Sequence, residues 1–138
     1  MEAKIIFVHG AISDRKNETS LELLDEISSR GASPGVATHN PLSTINYVFE
    51  NASEVNTFLI PFNANGFMMS DQKALEELVD THKNHYFFGM KTVDTGRLEP
   101  QQAFDYIAQH NICSVAIGMV EVNEAQIKTR LALEALKK

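Results

Sequence analysis

Hydrophobic residues along this chain gather into five short runs, each followed by a stretch in which they recur every three or four positions. The runs cover residues 4–9 (KIIFVH), 35–39 (GVATH), 55–63 (VNTFLIPFN), 86–93 (YFFGMKTV) and 114–119 (SVAIGM). All but the second are near-continuously apolar rather than alternating, as expected of parallel strands covered on both faces. The stretches between them carry helical stripes. Leu21, Leu24 and Ile27 follow a Thr19-Ser20-Leu21-Glu22 capping box and end near Gly31, while Leu42, Ile45 and Phe49 follow Asn40-Pro41. Leu75, Leu78 and Val79 mark a third helix, and Pro100 opens a fourth through Ala103, Phe104 and Ile107. An Asn123-x-x-Gln126 cap introduces Ile127 and Leu131. Strand-then-helix repeated five times predicts an α/β chain with a parallel sheet and right-handed crossovers.

The repeat has a chemical rhythm. A polar residue or glycine closes each run: His9, His39, Asn63, Lys91 and Gly118, separated by 30, 24, 28 and 27 residues. That period suits one unit of a (β/α)8 barrel, whose eight units take about 250 residues. Five units do not close a barrel. The pattern therefore fits five consecutive βα units of a partial TIM (β/α)8 barrel, or alternatively a five-stranded, doubly wound flavodoxin-like sheet. In both architectures sites form at the carboxyl ends of the strands, so the five closing residues are expected to share one rim.

Composition narrows the setting. A length of 138 residues without a Pro/Gly/Ser-rich linker implies one α/β domain over residues 1–138. A net charge of -6 with no basic block argues against nucleic acid or an anionic membrane surface as partner. The single cysteine, Cys113, rules out an internal disulfide framework. No apolar run approaches the ~18 residues of a membrane span and no charged-then-apolar leader precedes Lys4, which reads as a cytoplasmic protein.

Several residues could carry chemistry. His9 could orient a carbonyl or shuttle a proton, or simply be a hydrogen-bonded rim residue. Arg15 oriented by Asp14 could clamp an anion; the plainer reading is a solvated ion pair. His39 is a candidate ligand contact, whereas Asn40 suffices as a helix cap. Asn63 is either a polar contact or a turn former. The Phe67, Met68 and Met69 trio in an expected loop suggests packing, with a lid or subunit contact as the alternative. Lys91, ending an apolar strand, could be desolvated into a base, Schiff-base nucleophile or phosphate ligand, or could snorkel to solvent. Gly96 and Arg97 add a turn and a cation. His82, His85 and His110, near helix C-termini, read as structural. His9, His39 and Asp14 match no metal-ligand spacing, so no metal is expected. Walker, G-x-G-x-x-G and G-x-S-x-G motifs are absent from the sequence.

The segments FVHGAISD, GVATHNP, FLIPFN, GMKTVDTGR, PQQAFDYIAQ and SVAIGM, in this order, resemble the fourth to eighth βα units of aldo/keto reductase-like (β/α)8 barrels of a divergent microbial type. The resemblance implies hydride transfer from NADPH to a small carbonyl substrate. It places His9 at the catalytic histidine, and puts the tyrosine, lysine and aspartate of that set outside this chain. Thr38, His39 and Asn40 resemble the loop that holds the nicotinamide amide, and Gly96, Arg97 and Gly118 would lie near cofactor phosphate. Leu59 stands where the family has a glutamine, and Val120 and Glu121 stand where it has phosphate-binding residues. Substrate contacts are expected from Asp14, Arg15, His39 and Asn63, and catalysis from His9 and Lys91. The alternatives are a lyase, aldolase or isomerase-type barrel using Lys91 or His9, and a non-catalytic half-barrel. The last would form a homo-oligomer, or dock to a separate chain or a missing N-terminal barrel part.

Overall fold

The computed structural model describes residues 2–137. Five parallel strands, β1 (Ile5–Val8), β2 (Ser33–Ala37), β3 (Thr57–Pro61), β4 (Tyr86–Met90) and β5 (Ser114–Val115), form one sheet in sequential order. Between and after them run α1 (Gly10–Ser13), α2 (Glu18–Ser29), α3 (Pro41–Asn51), α4 (Gln72–Thr81), α5 (Pro100–Ala108) and α6 (Val122–Ala135). The chain is thus an α/β fold of consecutive βα units, with α1 an addition that the hydrophobic pattern does not announce.

Because each crossover joins adjacent strands in the same direction, right-handedness puts the long helices on one face of the sheet. Val8, Val36, Phe58, Ile60 and Phe87 point into that layer and are at most 5 % exposed. They pack with Leu24, Ile45, Val48, Leu75, Val79 and Ile107 from the helices. Each such side chain contributes about 1.5–3 kcal/mol by leaving water. The expectation of cover on both faces does not hold. On the second face Phe7, Leu59 and Phe88 are half-buried, and Ile5 and Tyr86 are exposed.

That second face is concave. Phe7 on β1 and Phe88 on β4 meet edge to face with ring centroids 5.5 Å apart. In a flat sheet, strands three apart are separated by about 14 Å, more than two phenylalanine side chains can span. Gly35 on β2, opposite Phe7, makes the approach possible: a Cβ there would lie 2.6 Å from the Phe7 ring.

Three local expectations change. Asn17, not Thr19, caps α2, its side chain accepting from the Ser20 N–H at 3.4 Å, while Gly31 does take up the left-handed conformation just past the helix (φ 87°). Asn123 lies inside α6, whose N-cap is Glu121. The last strand is two residues rather than six: it pairs only with β4, which stops at Met90, so the chain beyond Ala116 has no ladder to join. None of the described helices is long and apolar enough to cross a membrane.

Candidate functional site at the carboxyl ends of the strands

The chain leaves β1 at Val8, and His9 turns it into α1. Its Nδ1 accepts from the Ala11 N–H at 3.1 Å, making the exposed imidazole a helix N-cap. Asp14, at the end of α1, is tied to β2 rather than to its neighbour Arg15. One carboxylate oxygen accepts from Thr38 Oγ1 and, at 2.8 Å, from Thr44 Oγ1; the other accepts from the His39 N–H at 2.9 Å. Thr38 and Thr44 are fully buried, so this carboxylate supplies the acceptor for both hydroxyl protons, while Thr38 Oγ1 also accepts from the Asn40 N–H at 2.9 Å. The clamp in which Asp14 orients Arg15 is therefore not formed, because all of the acceptor capacity seen at Asp14 goes to β2 and α3. Arg15 is exposed, as are His39 and Asn40. Asn40 is the N-cap residue of α3 with Pro41 at N1, as expected, but its side chain makes no capping bond and instead accepts from Ser70 Oγ at 3.4 Å.

Asn63 turns out to organise its own loop. It is fully buried; its Oδ1 accepts from the Phe67 N–H at 2.8 Å and its Nδ2 donates to the Phe67 carbonyl at 2.9 Å. No face of this amide is left for a substrate. Met69 is fully buried in the core, which accounts for part of the apolar trio as packing. Asn65 then donates to Asp94 Oδ2 at 2.8 Å. The loops after β1 and β2 are thus joined through Asp14, those after β2 and β3 through Asn40 and Ser70, and those after β3 and β4 through Asn65 and Asp94.

The chain of bonds stops there. Between the loops after β4 and β5 the rim opens into a cavity of about 570 Å³. Lys91, Thr92, Thr95 and Gly96 form one wall, Ile117 and Gly118 another, and Glu124 and Lys128 of α6 a third. Around it the backbone is strained: Lys91 (φ 57°), Asp94 (φ 46°), Thr95 (φ 54°) and Gly96 (φ 91°) are all left-handed within six residues. Thr92 and Asp94 are 2 % and 3 % exposed, and Thr92 Oγ1 and Asp94 Oδ1 have no hydrogen-bond partner among the described residues. Lys91 itself is exposed at the lip, not desolvated as its apolar strand suggested, because the left-handed turn carries it clear of β4. Arg97 is exposed and does not line the cavity.

At the third wall, Glu124 accepts from Lys128 Nζ and, at 2.9 Å, from the Val120 N–H. These two donors hold its carboxyl below the usual range. Lys128, 6 % exposed, also donates to the Gly118 carbonyl at 3.3 Å. Glu124 thus places a carboxylate, paired with Lys128, beside the start of α6, and that charge repels an anionic ligand. Among the described residues no group of three His, Cys, Asp or Glu side chains is placed to hold a metal ion.

Of the ten residues singled out from sequence, the cavity gathers Lys91, Gly96 and Gly118. His9, Asp14, Arg15, His39, Asn40, Asn63 and Arg97 lie outside its lining. Sequence reasoning passed over Thr44, Thr92 and Asp94, and read Thr38 only as part of the loop resembling a nicotinamide site; their importance lies in which hydroxyl or carboxylate the fold buries. It also passed over Glu124 and Lys128, although their i, i+4 spacing is a readable ion-pair signal. Comparison with known protein families, with curated proteins and with solved structures finds no match to this chain.

Proposed function

We propose that the chain forms five consecutive units of an aldo/keto reductase-like (β/α)8 barrel, and that the cavity between β4 and β5 is the part of its mouth that receives a small carbonyl compound. One observation carries the ligand reading: the cavity is bordered by a run of left-handed residues that includes Lys91, a strain that sits where proteins position groups for binding or chemistry. The sequential strand order and the concave second face support the barrel. The Lys91 amine at the lip would meet the carbonyl end of the ligand, while Met90, Val93, Ala116 and Ile117 would hold its apolar body. Titrating isotope-labelled protein with small aldehydes and ketones should shift the Gly96 and Gly118 amides saturably. Shifts confined to Gly10 and His39, or absent throughout, would refute the assignment.

A second reading, a lyase or aldolase-type step, rests on the position of the Lys91 amine at the lip of the cavity. There the amine attacks the carbonyl carbon, a C–N bond forms, water leaves and an imine results. Borohydride reduction in the presence of a carbonyl compound should then fix its mass onto Lys91; an unchanged protein mass excludes this step. Ile5 and Ile6, 36 % and 42 % exposed on the unpaired edge of β1, support the reading that further βα units, or a second copy, cover that edge. A monomer at every concentration in sedimentation would exclude self-association.

A further inference from the structure

We propose that the two open ends of the sheet dock onto each other between copies: β1 and α2 of a second copy seat against β5 and α6, and two copies close head to tail. This rests on the reading that the bare edge of β1 is covered, and it names the surface that covers it. Of the nine large apolar side chains exposed among the described residues, three lie on β1 and α2 (Ile5, Ile6 and Leu23) and five fall between residues 119 and 133. Tyr86 is the exception. Apolar surface gathered at the two ends of a repeat, and buried in the units between, marks an interaction site.

The fold shows which neighbour each end lacks. Val8 points into the helix layer and alternation puts Ile6 on the same face, yet Ile6 is exposed because β1 pairs only with β2 and no helix covers its outer side. Leu23 immediately precedes the buried Leu24, as Tyr106 immediately precedes the buried Ile107. On α5 that flank meets the preceding long helix, where Tyr106 donates to Glu76 of α4 at 2.8 Å. Among the described residues no long helix precedes α2, so Leu23 is left bare. At the far end β5 pairs only with β4. A groove of about 290 Å³ runs between its free edge and α6, lined by Val115, Ile117, Thr129, Ala132, Leu133 and Leu136. A strand laid there would pair with β5 in parallel, as every strand of this sheet pairs with the next, and would bring its side chains beneath Leu133, which is 60 % exposed.

Charge selects the partner. Seating β1 beside β5 sets α2 next to α6, as α6 stands next to α5 through Phe104, Leu131 and Ala132. Helix α2 carries exposed Glu18, Glu22, Asp25 and Glu26 against Arg30, whereas Arg130 and Lys137 are exposed near the end of α6 against Glu134. Opposite signs favour the first unit of one copy on the last unit of the other, and two acidic α2 helices would repel. Such a contact is heterologous and closes if the sheet curves, as the contact of Phe7 with Phe88 shows it does.

Sedimentation of the whole chain should show a concentration-dependent dimer. Leu133→Asp, at a position the fold leaves exposed, should weaken it about tenfold or more. Glu22→Arg and Arg130→Glu should each weaken it about threefold, and the two together should restore it. In a Cys113→Ser background, a mixture of Ile6→Cys and Leu133→Cys chains treated with a short bis-maleimide should give a mixed dimer that neither chain gives alone. A monomer at every concentration overturns the proposal and leaves the edge to further βα units. A dimer that ignores Leu133→Asp and links Ile6→Cys chains to each other overturns only the head-to-tail contact, because the edge is then covered by its like. A dimer linked through neither cysteine overturns both.

Discussion

The two ends of the rim are built in opposite ways. Over β1 and β2, the buried polar groups at the strand ends are spent on the fold, while the Arg15 and His39 side chains stay exposed. Asp14 satisfies two buried threonines and a backbone amide, and His9 caps a helix. Over β4 and β5, three non-glycine residues are left-handed within five positions, against Lys16 alone in the loop after β1; two buried oxygens lack partners among the described residues, and the loops stand apart around a cavity. The difference teaches where to look for function. A histidine at a strand end is a weak pointer once its nitrogen is accounted for, whereas strain and unsatisfied polarity that the fold tolerates mark a place selected for something other than stability.

If this contrast is right, substitutions at the two ends will move stability in opposite directions. The largest effect is expected at Asp14. Asp14→Ala leaves Thr38 and Thr44 buried without an acceptor and should cost about 3 kcal/mol in urea unfolding. A loss below about 1 kcal/mol would mean that this cluster is not what closes the first half of the rim.

At the other end, Lys91→Gly removes a left-handed non-glycine residue and should raise stability by roughly 1 kcal/mol while weakening carbonyl binding. Destabilisation would show that the Lys91 side chain is part of the fold, which would break the comparison. Thr92→Val replaces an unpartnered buried hydroxyl with a methyl group of the same shape. Thermal stability should stay level or gain less than about 1 kcal/mol, because no hydrogen bond is lost. A marked loss would reveal a partner for that hydroxyl and remove one support of the cavity.

The smallest expected effect serves as a control away from both rims. His85 packs against Phe49 and Phe58 beside His82, with ring centroids 5.0 Å, 6.2 Å and 5.3 Å away. Burial, and then the neighbouring His82, push its pKa below the ordinary value of 6.5. The folded protein therefore binds this proton less readily than the unfolded chain. The stability it confers is complete above the unfolded pKa and declines as pH falls through 6.5 and below. The melting temperature should drop between pH 7 and pH 5, and His85→Phe should flatten that drop. An identical pH profile in the variant would assign the titration to another group.

Much of this was legible in the chain. The order of strands and helices follows from hydrophobic periodicity, and Gly31 and Pro100 sit at the helix ends that their backbone preferences imply. The rim was legible as well, because parallel strands always deliver their carboxyl-end loops to one side. The partners were not. Whether Asp14 pairs with Arg15, one residue away, or with Thr44, thirty residues away, depends on β2 and α3 closing over α1, and no local pattern encodes that proximity.

Sequence by itself thus determined the elements, their order and the common direction of the strands, since propensity and periodicity act over a few residues. Only the tertiary structure decided that His9 is a cap and Asn63 a loop brace, that Lys91 stands clear of its strand, and that Glu124 lies against Val120 and Lys128 beside the cavity between the loops after β4 and β5. Those outcomes depend on burial and on which distant groups compete for each hydrogen bond, and both are settled only when the layers pack.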